Sequence, residues 1–245
     1  MRWLTAHITR EGPGVDKNAP PKTGLALLAD VVRREWWMLI ELNLLFILFA
    51  LPLVTLPAAQ VAASRVTALM LQDRSVYLWR DFWEAFRGRF WRATILGVIA
   101  IAVIAVGGYA TFAFIQAAKT SIIFVLPLVI AASTTVFAII TTVYALTLLA
   151  LSDPPLPTVL RFALLGALVR PLPVLAALGA VAVLWILHIV FYPASLFMPA
   201  VLNFSFGTLI LTLSVHQAAT RLLAHDRGVA AAGQNAGGSA PLRAQ

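Results

Sequence analysis

The sequence predicts an all-α protein, a polytopic bundle of membrane-spanning helices, and three observations carry that prediction. Of its 245 residues, 61% are hydrophobic and only 11% charged, against about 45–50% and about 25% in soluble domains. Residues 93–118, 120–152 and 171–220 contain no Asp, Glu, Lys or Arg. A spanning helix needs about 20 consecutive apolar residues, so each of these runs can cross a bilayer at least once.

The amino-terminal 24 residues read as an irregular tail, because Gly12, Pro13, Gly14, Pro20 and Pro21 interrupt any helix. The first long apolar run starts near Trp36, behind a polar segment carrying four acids, and is expected to stay in the mature protein rather than serve as a signal peptide. Helical periodicity begins at residues 25–34, where Asp30, Arg33 and Arg34 alternate with Leu27, Leu28, Val31 and Val32. The first span is placed at residues 36–56, opened by Trp36 and Trp37, which suit a headgroup boundary.

Pro52 and Pro57 follow, and each lacks the amide donor that a continuous helix needs. Two arrangements result. A chain that continues through the prolines has five spans, and its 18 basic residues divide 7 against 11 between the two sides. A chain that turns there and returns over residues 57–72 has six, and the division becomes 17 against 1, with Lys119 alone on the far side. Positive-inside bias favours six. Arg65 then falls inside the return helix, about 10 Å from its end, within snorkelling reach of the interface.

The remaining spans are placed at residues 94–116, 122–151, 172–192 and 196–219, with tilt or a break at Pro127 absorbing the length of the fourth. Between the second and third lies the segment at 79–92, WRDFWEAFRGRFWR. At 100° per residue Trp79, Phe82, Trp83, Phe86 and Phe90 share one face, while Arg80, Asp81, Glu84, Arg87 and Arg92 share the other. That pattern predicts an amphipathic cytoplasmic helix lying on the membrane. Its aromatics would sit at the acyl boundary, and Arg80, Arg87 and Arg89 would meet anionic headgroups or a partner protein. Residues 25–225 thus form one transmembrane domain, and residues 226–245, rich in Gly and Ala without apolar periodicity, read as a disordered tail.

Few residues inside the spans can carry chemistry. Glu41 and Asn43 lie early in the first span, where a carboxylate is costly unless paired or near water. His188 lies close to the end of the fifth span, and Asn203 early in the sixth. Ser205 and Gly207, with Thr134, Thr135, Thr141, Thr142 and Thr147, read as the small and polar residues that join helices. The absence of cysteine excludes disulfides, thiolate metal sites and cysteine nucleophiles. There is no phosphate loop, HExxH or nucleophile elbow, so no enzymatic activity, metal or cofactor is expected. The net charge of +8 is accounted for by loop asymmetry, and nucleic acid is not expected as a partner.

Three stretches, residues 11–22 (EGPGVDKNAPPK), 42–59 (LNLLFILFALPLVTLPAA) and 76–97 (VYLWRDFWEAFRGRFWRATILG), resemble the YesL family of bacterial integral membrane proteins. Asn43, Pro52, Thr55 and Pro57 fall on that family's hairpin motif, and Asp81, Phe82, Phe86 and Phe90 on its linker motif. The resemblance implies a multi-pass protein of the bacterial inner membrane with no established biochemical function. Its members are frequently encoded beside carbohydrate importers of the ATP-binding-cassette type. The expectation is a non-enzymatic accessory factor linked to sugar uptake, with its carboxyl terminus in the cytoplasm and with homo-oligomers open to it. The alternative is a small transporter or channel lined by Glu41, Asn43, His188 and Asn203. One shared cavity around those four side chains would favour the transporter, and separate packing sites the accessory protein.

Overall fold

The structure, a computed structural model, describes residues 22–152 and 155–216, and every described element is helical. The tails expected at residues 1–21 and 226–245, and the last span beyond residue 216, lie outside the described residues. Helix α1 covers Gly24–Ala50. It opens on Gly24 at φ 58°, a left-handed conformation that side chains other than glycine rarely adopt. Glu35 interrupts α1 with φ −115° and ψ 20°, so the helix is kinked where the polar lead meets the apolar part. A 3₁₀ turn at Leu53–Thr55 follows, and α2 then runs over Leu56–Leu71 with Pro57 in its first turn, where a missing N–H costs nothing.

The chain reverses at this turn. Arg34 at the start of the hairpin donates to the Met70 carbonyl at 3.0 Å and pairs with Asp73 at 2.8 Å, while Thr55 Oγ1 at the turn donates to the Phe49 carbonyl. α1 and α2 are therefore antiparallel, the arrangement that the basic-residue count favours. Asp30 joins the base of the hairpin through Lys22 and Arg34. The Lys22 hydrogen bond holds the Asp30 carboxyl below its ordinary range; desolvation opposes it, and the charges of Lys22, Arg34 and Arg33 add to it.

Helix α3 is one continuous element, Leu78–Ala118. The aromatic segment at 79–92 and the third span are thus parts of the same helix, about 61 Å long at 1.5 Å per residue. No proline falls between residues 78 and 118, and the isolated Gly88 where the two parts meet does not break the ladder. After a turn at Ile122–Phe124, α4 covers Val125–Leu151 and returns along α3. A side chain at Gly107 would collide with Thr135, which shows how closely the two approach. Pro127 lies in the first turn of α4 and does not interrupt it. Helix α5, Leu156–Val169, occupies part of what reads in the sequence as a linker, and Val159, Phe162, Ala163 and Ala167 bury its inner face. Helix α6 covers Pro171–Val190, and α7 spans Pro199–His216 with a π turn at Pro199–Asn203.

Five of these segments, Leu53–Leu71, Leu78–Ala118, Ile122–Leu151, Pro171–Val190 and Pro199–His216, are long and apolar enough to cross a membrane. The first of the six expected spans is the exception. Beyond the Glu35 kink its helix keeps only residues 36–50, a rise of about 22 Å against a hydrocarbon core of about 30 Å. It lies against α2 as the other arm of the hairpin.

α2 is the central helix. Two thirds of its most apolar stretch (67%) is buried by neighbours, against 0% for α3 and α4. Its small residues Ala58, Ala59, Ala62, Ala63 and Ser64 are all buried and let other helices approach closely. Outward-facing Ile99, Val106, Ile122, Leu126 and Ile130 are more than half exposed, a surface that hydrocarbon solvates and water does not. The chain is a multi-pass helical membrane protein.

Candidate functional site

Two features draw together the residues that the sequence singles out. The first is centred on Asn43, which is fully buried. The π turn at Pro199–Asn203 opens the backbone of α7 by one residue. Into that opening α1 inserts the Asn43 amide. Its Nδ2 donates to the carbonyls of Pro199 (2.9 Å) and Ala200 (2.6 Å), and its Oδ1 accepts from the N–H groups of Phe204 (2.9 Å) and Ser205 (3.0 Å). Residues 199 and 204, and residues 200 and 205, are each five apart. That is the i→i+5 spacing of a π turn, and one side-chain amide bonds both the acceptor and the donor of each pair while capping the helical run that follows. Phe46, one turn along α1, stacks on Phe204 at 5.4 Å and keeps the two helices in register.

From this junction a polar seam continues between α2 and α7. Gln60 Nε2 donates to Thr208 Oγ1 at 3.3 Å, and the Thr67 and Thr212 hydroxyls are 3.0 Å apart. These are helix-joining bonds between small polar groups, each worth about 0.6 kcal/mol in membrane proteins. The threonines of α4 act differently. Thr135, Thr141 and Thr142 bond the carbonyls of Ala131, Phe137 and Ala138 on their own helix, so they do not join helices as their composition suggests.

Asn203 belongs to the π turn and His188 lies near it, and neither side chain bonds the Asn43 amide. Asn203 is 1% exposed, and neither its Nδ2 nor its Oδ1 has a hydrogen-bond partner among the described residues. The His188 ring meets Trp185 edge-on at 6.1 Å, and Trp185 in turn meets Phe204 at 5.5 Å. His188 Nδ1 is buried without a partner, while its carbonyl accepts from Ser195 at 2.7 Å. Glu41 is separate from all of these: it is exposed, in a shallow groove with Leu44, Leu48, Leu78 and Trp79. The four intramembrane candidates therefore line no common cavity among those described.

The second feature is aromatic. Phe49, three residues before Pro52, receives four rings from α3: Trp79 at 6.2 Å, Phe82 at 5.4 Å, Trp83 at 5.7 Å and Phe86 at 5.0 Å. Spacings of three and four residues put these rings on one face of α3. Phe82 and Phe86 are buried there rather than offered to lipid, whereas Trp79 and Trp83 keep large exposed areas. On the opposite face Arg80, Glu84 and Arg87 are exposed, and Asp81 holds the start of the helix by accepting from the Tyr77 N–H at 2.8 Å. Arg80 rests on the Tyr77 ring at 4.3 Å. Phe90 and Arg89 are half-buried further along. Gly97 then meets Pro57, and a Cβ at residue 97 would overlap the proline ring. The hairpin and linker motifs are thus two sides of one packing unit, which sequence separation conceals. Among the described residues no group of three or more His, Asp or Glu is placed to hold a metal ion.

No curated protein and no solved structure matches this chain. Residues 39–109 match a family model described as "Protein of unknown function, DUF624". The matched stretch contains both arms of the hairpin, its proline turn and most of α3, including Asn43, Phe49, Pro57 and Gly97.

Proposed function

We propose that this chain is a non-enzymatic accessory factor of a bacterial inner membrane, assembling with a carbohydrate importer of the ATP-binding-cassette type through the exposed face of α3. The observation that carries the reading is the use made of Asn43. The most deeply buried polar side chain of α1 spends all its hydrogen-bonding capacity on the backbone of α7. A permeation path would keep such a group for its solute. The separate positions of Glu41, Asn43, His188 and Asn203 support the same reading. The outward residues Trp79, Trp83, Arg80 and Arg87 supply a charged and aromatic surface on a rigid helix, the composition that protein interfaces favour. The link to carbohydrate uptake rests on the YesL resemblance.

The test is affinity purification from native membranes after mild crosslinking, with washing in high salt. Recovery of an importer permease or ATPase, lost on reversing Arg87 and Arg89 to Glu while membrane insertion is unchanged, is the expected result. Recovery of the protein alone, together with solute flux in liposomes that falls in Glu41→Gln, would replace this reading with a transporter.

A further inference from the structure

A cleft of about 340 Å³ opens between the start of α1, the start of α6 and the end of α7. Its walls are Leu25 and Leu28 from α1, Ala176 and Ala180 from α6, and Ile210 and Leu213 from α7. On α6 the lining residues fall at Pro173, Ala176, Ala177 and Ala180, one face of the helix, so the cleft runs along the helix axis for about 10 Å. Small side chains on that face leave the space that a larger residue would close. Apart from Ser214 on α7 and Arg170 at the start of α6, the wall is apolar.

That end carries Arg170. Its side chain is exposed and makes no ion pair among the described residues, while its carbonyl is fixed by the Tyr144 hydroxyl at 2.9 Å. Arg170 is also the residue that starts α6, and no side chain caps this helix end. Prolines at 171 and 173 leave Leu172 as the one N–H donor among the first three positions of α6, so the positive charge at this end of the cleft is that of the Arg170 guanidinium. A guanidinium at the rim, followed inward by an apolar trough between spanning helices, matches an amphiphile with an anionic head and a hydrocarbon tail. A soluble anion would fill only the rim, and a neutral hydrophobe would leave the charge unanswered.

We infer that this cleft is a binding site for one anionic phospholipid, its phosphate on Arg170 and one acyl chain along Ala176 and Ala180 against α1 and α7. The site ties together three elements remote in sequence, and an occupied cleft joins α6 to the hairpin through the lipid. The inference does not depend on the accessory role, because its readout is lipid stoichiometry rather than a partner.

The test uses the full chain purified in a neutral detergent, titrated with dioleoyl phosphatidylglycerol or dioleoyl phosphatidylcholine and read by native mass spectrometry. The expected result is one retained phosphatidylglycerol per chain, bound about fivefold more tightly than phosphatidylcholine, the preference that one arginine near the surface supplies. Arg170→Gln should abolish the preference, and Ala180→Phe should lose the retained lipid altogether, with helical circular dichroism unchanged in both. Lys119→Gln, in the turn between α3 and α4, should behave as the wild type. Equal binding of the two lipids, or wild-type retention in both cleft variants, would overturn the site. Competition by glycerol phosphate at equal concentration would also overturn it, in favour of a soluble anion. Retention that appears only after removal of residues 1–21 would assign the cleft to the chain's own amino-terminal segment instead.

Discussion

Asn43 and Asn203 are both buried amides at one helix junction, and their contributions should differ in sign. Asn43 bonds four backbone groups, so Asn43→Ala removes four hydrogen bonds from a buried helix junction. Each is worth about 0.5–1.5 kcal/mol net, and a loss of about 3 kcal/mol is expected. Asn203 has no partner to lose. Asn203→Leu should then be neutral or stabilising, because a desolvated amide is replaced by an apolar group of similar size. Thermal unfolding of both variants in lipid nanodiscs checks the pair, and equal destabilisation would show that Asn203 has a ligand or partner of its own. Asp30 gives a prediction in pH. Its carboxyl is held below the ordinary range by Lys22 and the neighbouring arginines. The stability it adds is present above the unfolded value and is lost as pH falls through the folded one. The difference in unfolding temperature between wild type and Asp30→Asn should therefore narrow as pH is lowered from 6 to 3. A difference that stays constant across that range would remove the ion pair from the account.

Packing of whole elements depends on two small contacts. The overlap that any Cβ at residue 97 would make with Pro57 sets the distance between α2 and α3. Gly97→Val should force the helices apart and cost about 1–3 kcal/mol, the usual penalty for overpacking. Phe49 fills the other end of the same contact, and Phe49→Ala removes four ring pairs from a half-buried site, a loss of about 2 kcal/mol. Both variants should make the hairpin more accessible to protease before the rest of the bundle. If either unfolds only with the whole chain, the hairpin and α3 are not a separable packing unit. The amphipathic face of residues 79–92 was legible from a 100° projection, and the buried Phe82 and Phe86 fall on it. Its partner was not legible, because Phe49 lies 33 residues before Phe82 in an apolar run where every third residue offers a similar side chain. Helix α5 was missed for a related reason. Its 14 residues are too few to span a bilayer, and the charges at Asp153, Arg161 and Arg170 mark the stretch as a loop.

For the molecule as a whole, side is the property that loop charge controls. With the chain reversing at residues 51–55, Thr23 and Asp73 belong to one end of the α1–α2 hairpin, and the turn near Ser121 joins α3 to α4. The positive-inside rule predicts the basic end in the cytoplasm and Lys119 outside. In this cysteine-free background, Ser121→Cys should label with an impermeant thiol reagent on intact cells, and Thr23→Cys only after permeabilisation. The reverse pattern would invert the protein.

Hydropathy was sufficient for the helical class, and the prolines for the break in the chain that follows α1. Each of these follows from a local sum: a bilayer demands about 20 apolar residues wherever it is crossed, and a proline removes a donor whatever surrounds it. The roles of the polar residues required the tertiary structure. Glu41 and Asn43 are two residues apart on one helix, yet one is exposed and the other is threaded into α7. Lipid is as apolar as a leucine-rich helix face, so burial against hydrocarbon does not distinguish the side of a helix that meets protein from the side that meets lipid. That choice is made by the shape of the neighbouring helices, here by a π turn at Pro199–Asn203 that receives an amide from 156 residues away.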